Sequence, residues 1–145
     1  MTSIEEHFKK IQEHLEELDA AINIGIEKRP ATIAFHCSAC SLQLLELYLH
    51  IIKKIEMGKT LNHEWFKRPT TEQKKEPLIE RQLEVDFPQK SEIYELLYQI
   101  EEERNSLMYG KPKEEQTKKV IEAFKKLKTL MKEALKNEGI EIERA

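Results

Sequence analysis

The residues of this chain best placed to do chemistry together fall between residues 93 and 110. Ile93, Leu97, Ile100, Leu107 and Met108 recur at helical spacing, and Arg104 stands in the same series four residues after Ile100. A guanidinium in such a core-type position is costly unless it meets carboxylates, a phosphate or a facing subunit. Beside it runs a second stripe of Tyr94, Tyr98, Glu101 or Glu102, Asn105 and Tyr109, polar groups on aromatic carriers suited to a pocket or a wet interface. The candidate ligand-binding residues are therefore Arg104, Asn105, Tyr109, Tyr98 and Glu101. The arginine can grip phosphate through two donors, and the amide and phenols add hydrogen bonds. The plainer alternative is that Arg104 reaches past the end of the core and pairs with Glu101.

Other combinations carry less. Cys37 and Cys40 form a CxxC beside His36, but a zinc site wants a second such pair and a redox CxxC belongs after a strand. Small residues packed on a buried helix explain them. Arg29 and His36 have six residues between them, with Pro30 intervening at a helix start, and that spacing is read as chance. None of the five histidines completes the Glu-x-x-His pairs of a di-iron bundle. Glu13 with Glu16, Glu16 with Asp19, and Glu92 with Glu95 match the carboxylate ladders of magnesium-dependent, all-helical nucleotide pyrophosphohydrolases, but they flank the core stripes. His63 and Trp65 could edge a ligand site, although a tryptophan anchoring its loop is the simpler reading. No catalytic set, metal or cofactor is expected from these patterns.

The elements that must position the candidates are helices. The chain has 145 residues, 39% apolar and 35% charged, with four glycines and five prolines, a globular profile that favours long helices in one domain spanning residues 1–145. Its net charge of −3 is unevenly spread: residues 111–136 hold nine lysines against four glutamates, and residues 2–28 hold seven acids against three lysines. A basic helix of this kind can meet phosphate, or can be a solvated face. No signal peptide and no apolar run long enough for a membrane span is visible, and two cysteines so close together fit a reducing cytoplasm.

The first helix is expected over residues 4–28, capped by Ser3, with Ile4, Phe8, Ile11, Leu15, Leu18 and Ile22 as its stripe. The second, over 30–57 with Gly58 as its cap, is apolar nearly all round. It should be central, buried by its neighbours or by a second subunit. Asn62 should cap a short turn through residues 63–66, residues 70–75 form a polar, mobile stretch, and residues 78–87 fit either a short helix or an extended piece. The third helix is expected over 91–109, capped by Gly110. The fourth is expected over 113–137, with Val120, Phe124, Leu127, Met131 and Ala134 as its stripe and Gly139 as its cap. Four helices with short links give an all-α, up-and-down antiparallel four-helix bundle.

The string Glu103-Arg104-Asn105-Ser106-Leu107-Met108-Tyr109-Gly110 resembles the signature near the end of the third long helix of HEPN (higher eukaryotes and prokaryotes nucleotide-binding) domains, where Arg-Asn is followed by a histidine. The small-residue run from Ala34 to Ser41, leading into Leu42 to Leu49, is similar to that family's second helix, and Asn62-His63 to its following loop. The resemblance spans about residues 31–113 and is nearest to the HepT-like, nucleotidyltransferase-associated members. It implies a homodimeric four-helix bundle with the signature helices facing across a cleft. In nuclease members the arginine and histidine cleave RNA without metal, and many pair with a minimal nucleotidyltransferase as toxin and antitoxin. Here Tyr109 stands where the histidine belongs. A phenol of pKa near 10 is a poor base at neutral pH, whereas an imidazole near 6.5 is a good one. The expectation is thus a module that binds a nucleotide or RNA, or docks a nucleotidyltransferase, without catalysis. The enzymatic alternatives are a metal-independent RNase toxin borrowing a histidine, His36 being nearest by helix pairing, and the magnesium pyrophosphohydrolase.

Overall fold

The computed structural model describes residues 4–56, 58–69 and 76–142. Among them the chain is all-helical: α1 (Ile4–Ile24), α2 (Pro30–Ile51), a 3-10 turn (His63–Trp65), α3 (Leu78–Gln82), α4 (Lys90–Tyr109) and α5 (Glu114–Asn137). The expected count of four becomes five, because residues 78–82 form a short helix and residues 83–87 then carry no regular structure. The proposed cap Ser3 and the polar stretch 70–75 lie outside the described residues.

α2 is the centre of the structure. Its backbone approaches α1, α4 and α5 closely, and α4 also packs on α5. Ile33, Ala34, Cys37, Leu44, Leu45, Leu47 and Leu49 are buried around its whole circumference, so the chain's own helices cover this apolar element. α1 runs antiparallel to α2, since His14 meets His36 and His7 meets His50. Pro30 opens α2 at a position where no amide donor is needed.

Three helix ends differ from the sequence reading. α1 stops at Ile24 because Gly25 adopts φ +139°, and the Lys28 and Arg29 amides turn back to its carbonyl. α2 stops at Ile51, not near Gly58. Lys53 takes the left-handed conformation, and the Lys54 and Lys53 amides close on the carbonyls of Leu49 and His50, a Schellman ending. The early stop lets Ile55 and Leu61 fold back onto the core, and it brings the Leu61 amide to the buried carboxylate of Glu46 at 3.2 Å. α5 begins at Glu114, with Gln116 reaching back to the Lys113 amide, and it ends as expected with Gly139 at φ +81°.

The stripes are largely those expected, with a shift of phase in α1. There the buried residues are His7, Ile11, Leu15, Leu18 and Ala21, while Ile4 is exposed. In α5, Leu135 takes the place expected for Ala134. The lysines Lys118, Lys119, Lys125, Lys126, Lys132 and Lys136 stand on the exposed side of α5. No described helix is long and apolar enough to cross a membrane.

Candidate functional site

The core stripe of α4 positions the site. Ile93, Leu97, Ile100 and Leu107 are at most 2% exposed, and Arg104 occupies the slot between the last two with its side chain 12% exposed. Its closest anion is Glu101, one turn back, with Nε to Oε2 at 4.0 Å. That separation is an ion pair without a hydrogen bond, and Nε has no other partner although it is buried. The pairing that the simpler reading anticipated is therefore present, but it leaves the guanidinium under-used.

Glu101 joins three elements. It accepts the Ser38 hydroxyl of α2 on one oxygen, and on the other the His63 Nδ1 from the 3-10 turn at 3.2 Å. Burial pushes its carboxyl above the ordinary range, while Ser38, His63 and Arg104 pull the other way. The turn itself is fixed locally. Asn62 Oδ1 accepts the Glu64 amide, and Phe66 is fully buried, with its ring edge-on to Tyr94 at 5.5 Å. The loop anchor is thus Phe66, with Trp65 only half-buried beside it. Two residues on, Arg68 forks onto Glu95, donates to Glu102 at 3.1 Å, and lies over the Tyr98 ring.

Around Arg104 these residues enclose a cavity of about 230 Å³ lined by His63, Glu64, Lys67, Glu101, Asn105 and Tyr109. Four of the five sequence candidates, Arg104, Asn105, Tyr109 and Glu101, come together there. Tyr109 forms an open rim, 77% exposed. Tyr98 does not join them. It lines a separate cleft with Glu80, Lys90 and Tyr94, because it stands two turns before Asn105 on the same face of α4, with Arg68 over its ring. His63, which could edge a ligand site on its sequence position, does so without Trp65, and Lys67 is the addition; their link to Arg104 is a tertiary contact that helical periodicity cannot encode. No protein-family model, curated protein or solved structure matches the chain.

The remaining motifs fall elsewhere. Cys37 and Cys40 are fully buried, and burial pushes the Cys40 thiol up to about 12 and the Cys37 thiol higher, so both are neutral packing groups. Glu13, Glu16 and Asp19 lie on the exposed side of α1, and Arg68 holds Glu95. Arg29 donates to the Lys28 carbonyl at the start of α2.

His36 is engaged by α1, its Nδ1 2.9 Å from that of His14, so one ring donates to the other's lone pair. Burial lowers both from the usual imidazole range, and in His14 the neighbouring His36 adds to the effect. A depressed folded-state pKa gives stability that is present above about pH 6.5 and lost as pH falls below it, where the unfolded chain takes up protons first. Urea unfolding between pH 8 and pH 5 should therefore show a steeper acid loss in the wild type than in His36→Gln. Parallel curves would remove the pair from the account.

Proposed function

We propose that the chain is a HEPN-like, non-catalytic module that binds the phosphate of a nucleotide or RNA in the Arg104 pocket. In this reading its four long helices form the family's up-and-down bundle, and it acts as a cytoplasmic homodimer. A minimal nucleotidyltransferase is its partner in a toxin–antitoxin arrangement. The observation that carries the reading is the buried, unpartnered Nε of Arg104 beside a cavity that also holds Lys67, His63, Asn105 and Tyr109. Guanidinium, ammonium and amide donors that converge on a small cavity suit a phosphate.

The test is fluorescence anisotropy with a labelled single-stranded RNA, and with a labelled ATP analogue. Losing charge-assisted bonds of about 1.5–3 kcal/mol, Arg104→Gln should weaken binding by roughly 10- to 100-fold. Equal binding by wild type and variant would sink the proposal.

One observation favours a second reading, the metal-independent ribonuclease. His63, not His36, stands in the pocket beside Arg104, its Nδ1 held by the Glu101 carboxylate as a base is held by its orienting group. This reading requires RNA cleavage in EDTA that both Arg104→Ala and His63→Gln abolish.

A further inference from the structure

The start of α1 and the end of α2 enclose three polar side chains that the Arg104 pocket does not use. His7, Glu46 and His50 are 0%, 4% and 6% exposed, and each offers one ligand atom within 4.8 Å of the others. Glu46 and His50 are one turn apart on α2 and so share a face. α1 supplies the second imidazole, with ring centroids 5.1 Å apart. The group is incomplete as a hydrogen-bonded cluster. Nε2 of His7 and both ring nitrogens of His50 are buried without a hydrogen-bond partner, a condition that interiors rarely tolerate without an ion or a water.

The surroundings orient these atoms as an outer shell orients metal ligands. His7 Nδ1 lies 2.9 Å from Gln43 Oε1, which can only accept, so the proton sits on Nδ1 and Nε2 keeps its lone pair. Glu46 Oε2 accepts the Leu61 amide, leaving Oε1 free to turn toward the imidazoles. The backbone of Ile55 and Lys59 lies beside His50, where an acceptor for the N–H of its non-coordinating nitrogen belongs. Burial pushes the Glu46 carboxyl up to about 7, with the Leu61 amide and the field of Lys10, exposed on α1, pulling the other way.

We propose that His7, Glu46 and His50 form a binding site for one divalent transition-metal ion, with zinc the best fit. Two imidazoles and a carboxylate suit zinc, whereas calcium and magnesium call for oxygen donors. Ligands at about 2.0–2.2 Å from a shared ion lie about 3.4 Å apart in a tetrahedron, a spacing that side-chain torsions reach by a small contraction. With a water as the fourth ligand and no opening to a substrate, the ion ties α1 to the end of α2. It acts as a structural cross-link and meets no substrate. The cluster is separate from the CxxC pair, and it stands or falls independently of the phosphate reading.

The test uses the full-length, tag-free protein, exposed to zinc, desalted and assayed for metal by mass spectrometry. About one zinc per chain and a raised Tm are expected. Glu46→Gln and His50→Gln should lower zinc affinity by at least roughly 10- to 100-fold while the helical circular-dichroism signal persists. Cobalt in place of zinc should give visible ligand-field bands without a thiolate charge-transfer band. Folded wild type that retains no stoichiometric zinc would overturn the proposal, whatever the variants do. So would full zinc retention in both variants, or a thiolate band, which would move the ion to Cys37 and Cys40.

Discussion

Truncating Phe66 to alanine is expected to lower the unfolding free energy by about 3–5 kcal/mol, the usual cost of emptying a fully buried aromatic site. Phe66 is 0% exposed, and it seats the segment after α2 against Tyr94 and Tyr98 of α4. The same segment carries His63 and Lys67, so the loss should not stop at stability. With its anchor gone the 3-10 turn keeps the Asn62 cap, the Glu101 contact and its flanking holds at Leu61 and Arg68, but loses the one fully buried side chain between them. On the phosphate-binding proposal, RNA affinity should fall even where the variant is still folded. Phe66→Leu keeps most of the buried volume and should cost less than about 1.5 kcal/mol with binding retained. Urea denaturation and anisotropy on the two variants give the answer. A Phe66→Ala protein that binds like wild type would mean the turn is held by other contacts.

The second large effect is expected at Glu101. Replacing it with alanine strips a common acceptor from the Ser38 hydroxyl and the His63 ring, and leaves the nearly buried guanidinium of Arg104 without its anion. Removing one partner of a buried ion pair costs about 3–5 kcal/mol, far more than the pair's net worth, because the remaining charge stays desolvated. Glu101→Gln retains an oxygen for Ser38 but removes the same charge, so it should lose most of this amount and recover only the hydrogen bond to Ser38. A loss below about 1 kcal/mol in the alanine variant, the range of exposed pairs, would show that Arg104 finds water or another anion without cost.

How much of this was legible in the sequence depends on which force set each feature. The paths of α4 and α5 follow apolar periodicity, α2 shows itself by being apolar on every side, and Arg104 could be marked because it interrupts one such periodic series. The helix ends were harder. Gly25 and Lys53 stop their helices through backbone conformation, and the second does so because Ile55 and Leu61 gain burial by turning back, a tertiary reward that no local pattern displays. In α1 the apolar count favoured Phe8, yet the buried phase runs through His7, since a histidine does not register as a core residue. At the pocket, Arg104, Asn105, Tyr109 and Glu101 share one helix and could be grouped by spacing. His63 reaches them only because Phe66 docks.

The central place of α2 has a consequence for how the chain acquires its structure. Remove Pro30–Ile51, and α1 loses the helix it packs against while α4 and α5 keep only each other. No half of the molecule retains a core of its own, so neither end can fold ahead of this helix and wait for it. A chain emerging N-terminus first meets α2 early, but α2 stays greasy on two sides until α4 and α5 arrive. Between those moments the nascent protein exposes its stickiest surface, and assembly of the last two helices is the step that ends its exposure to aggregation.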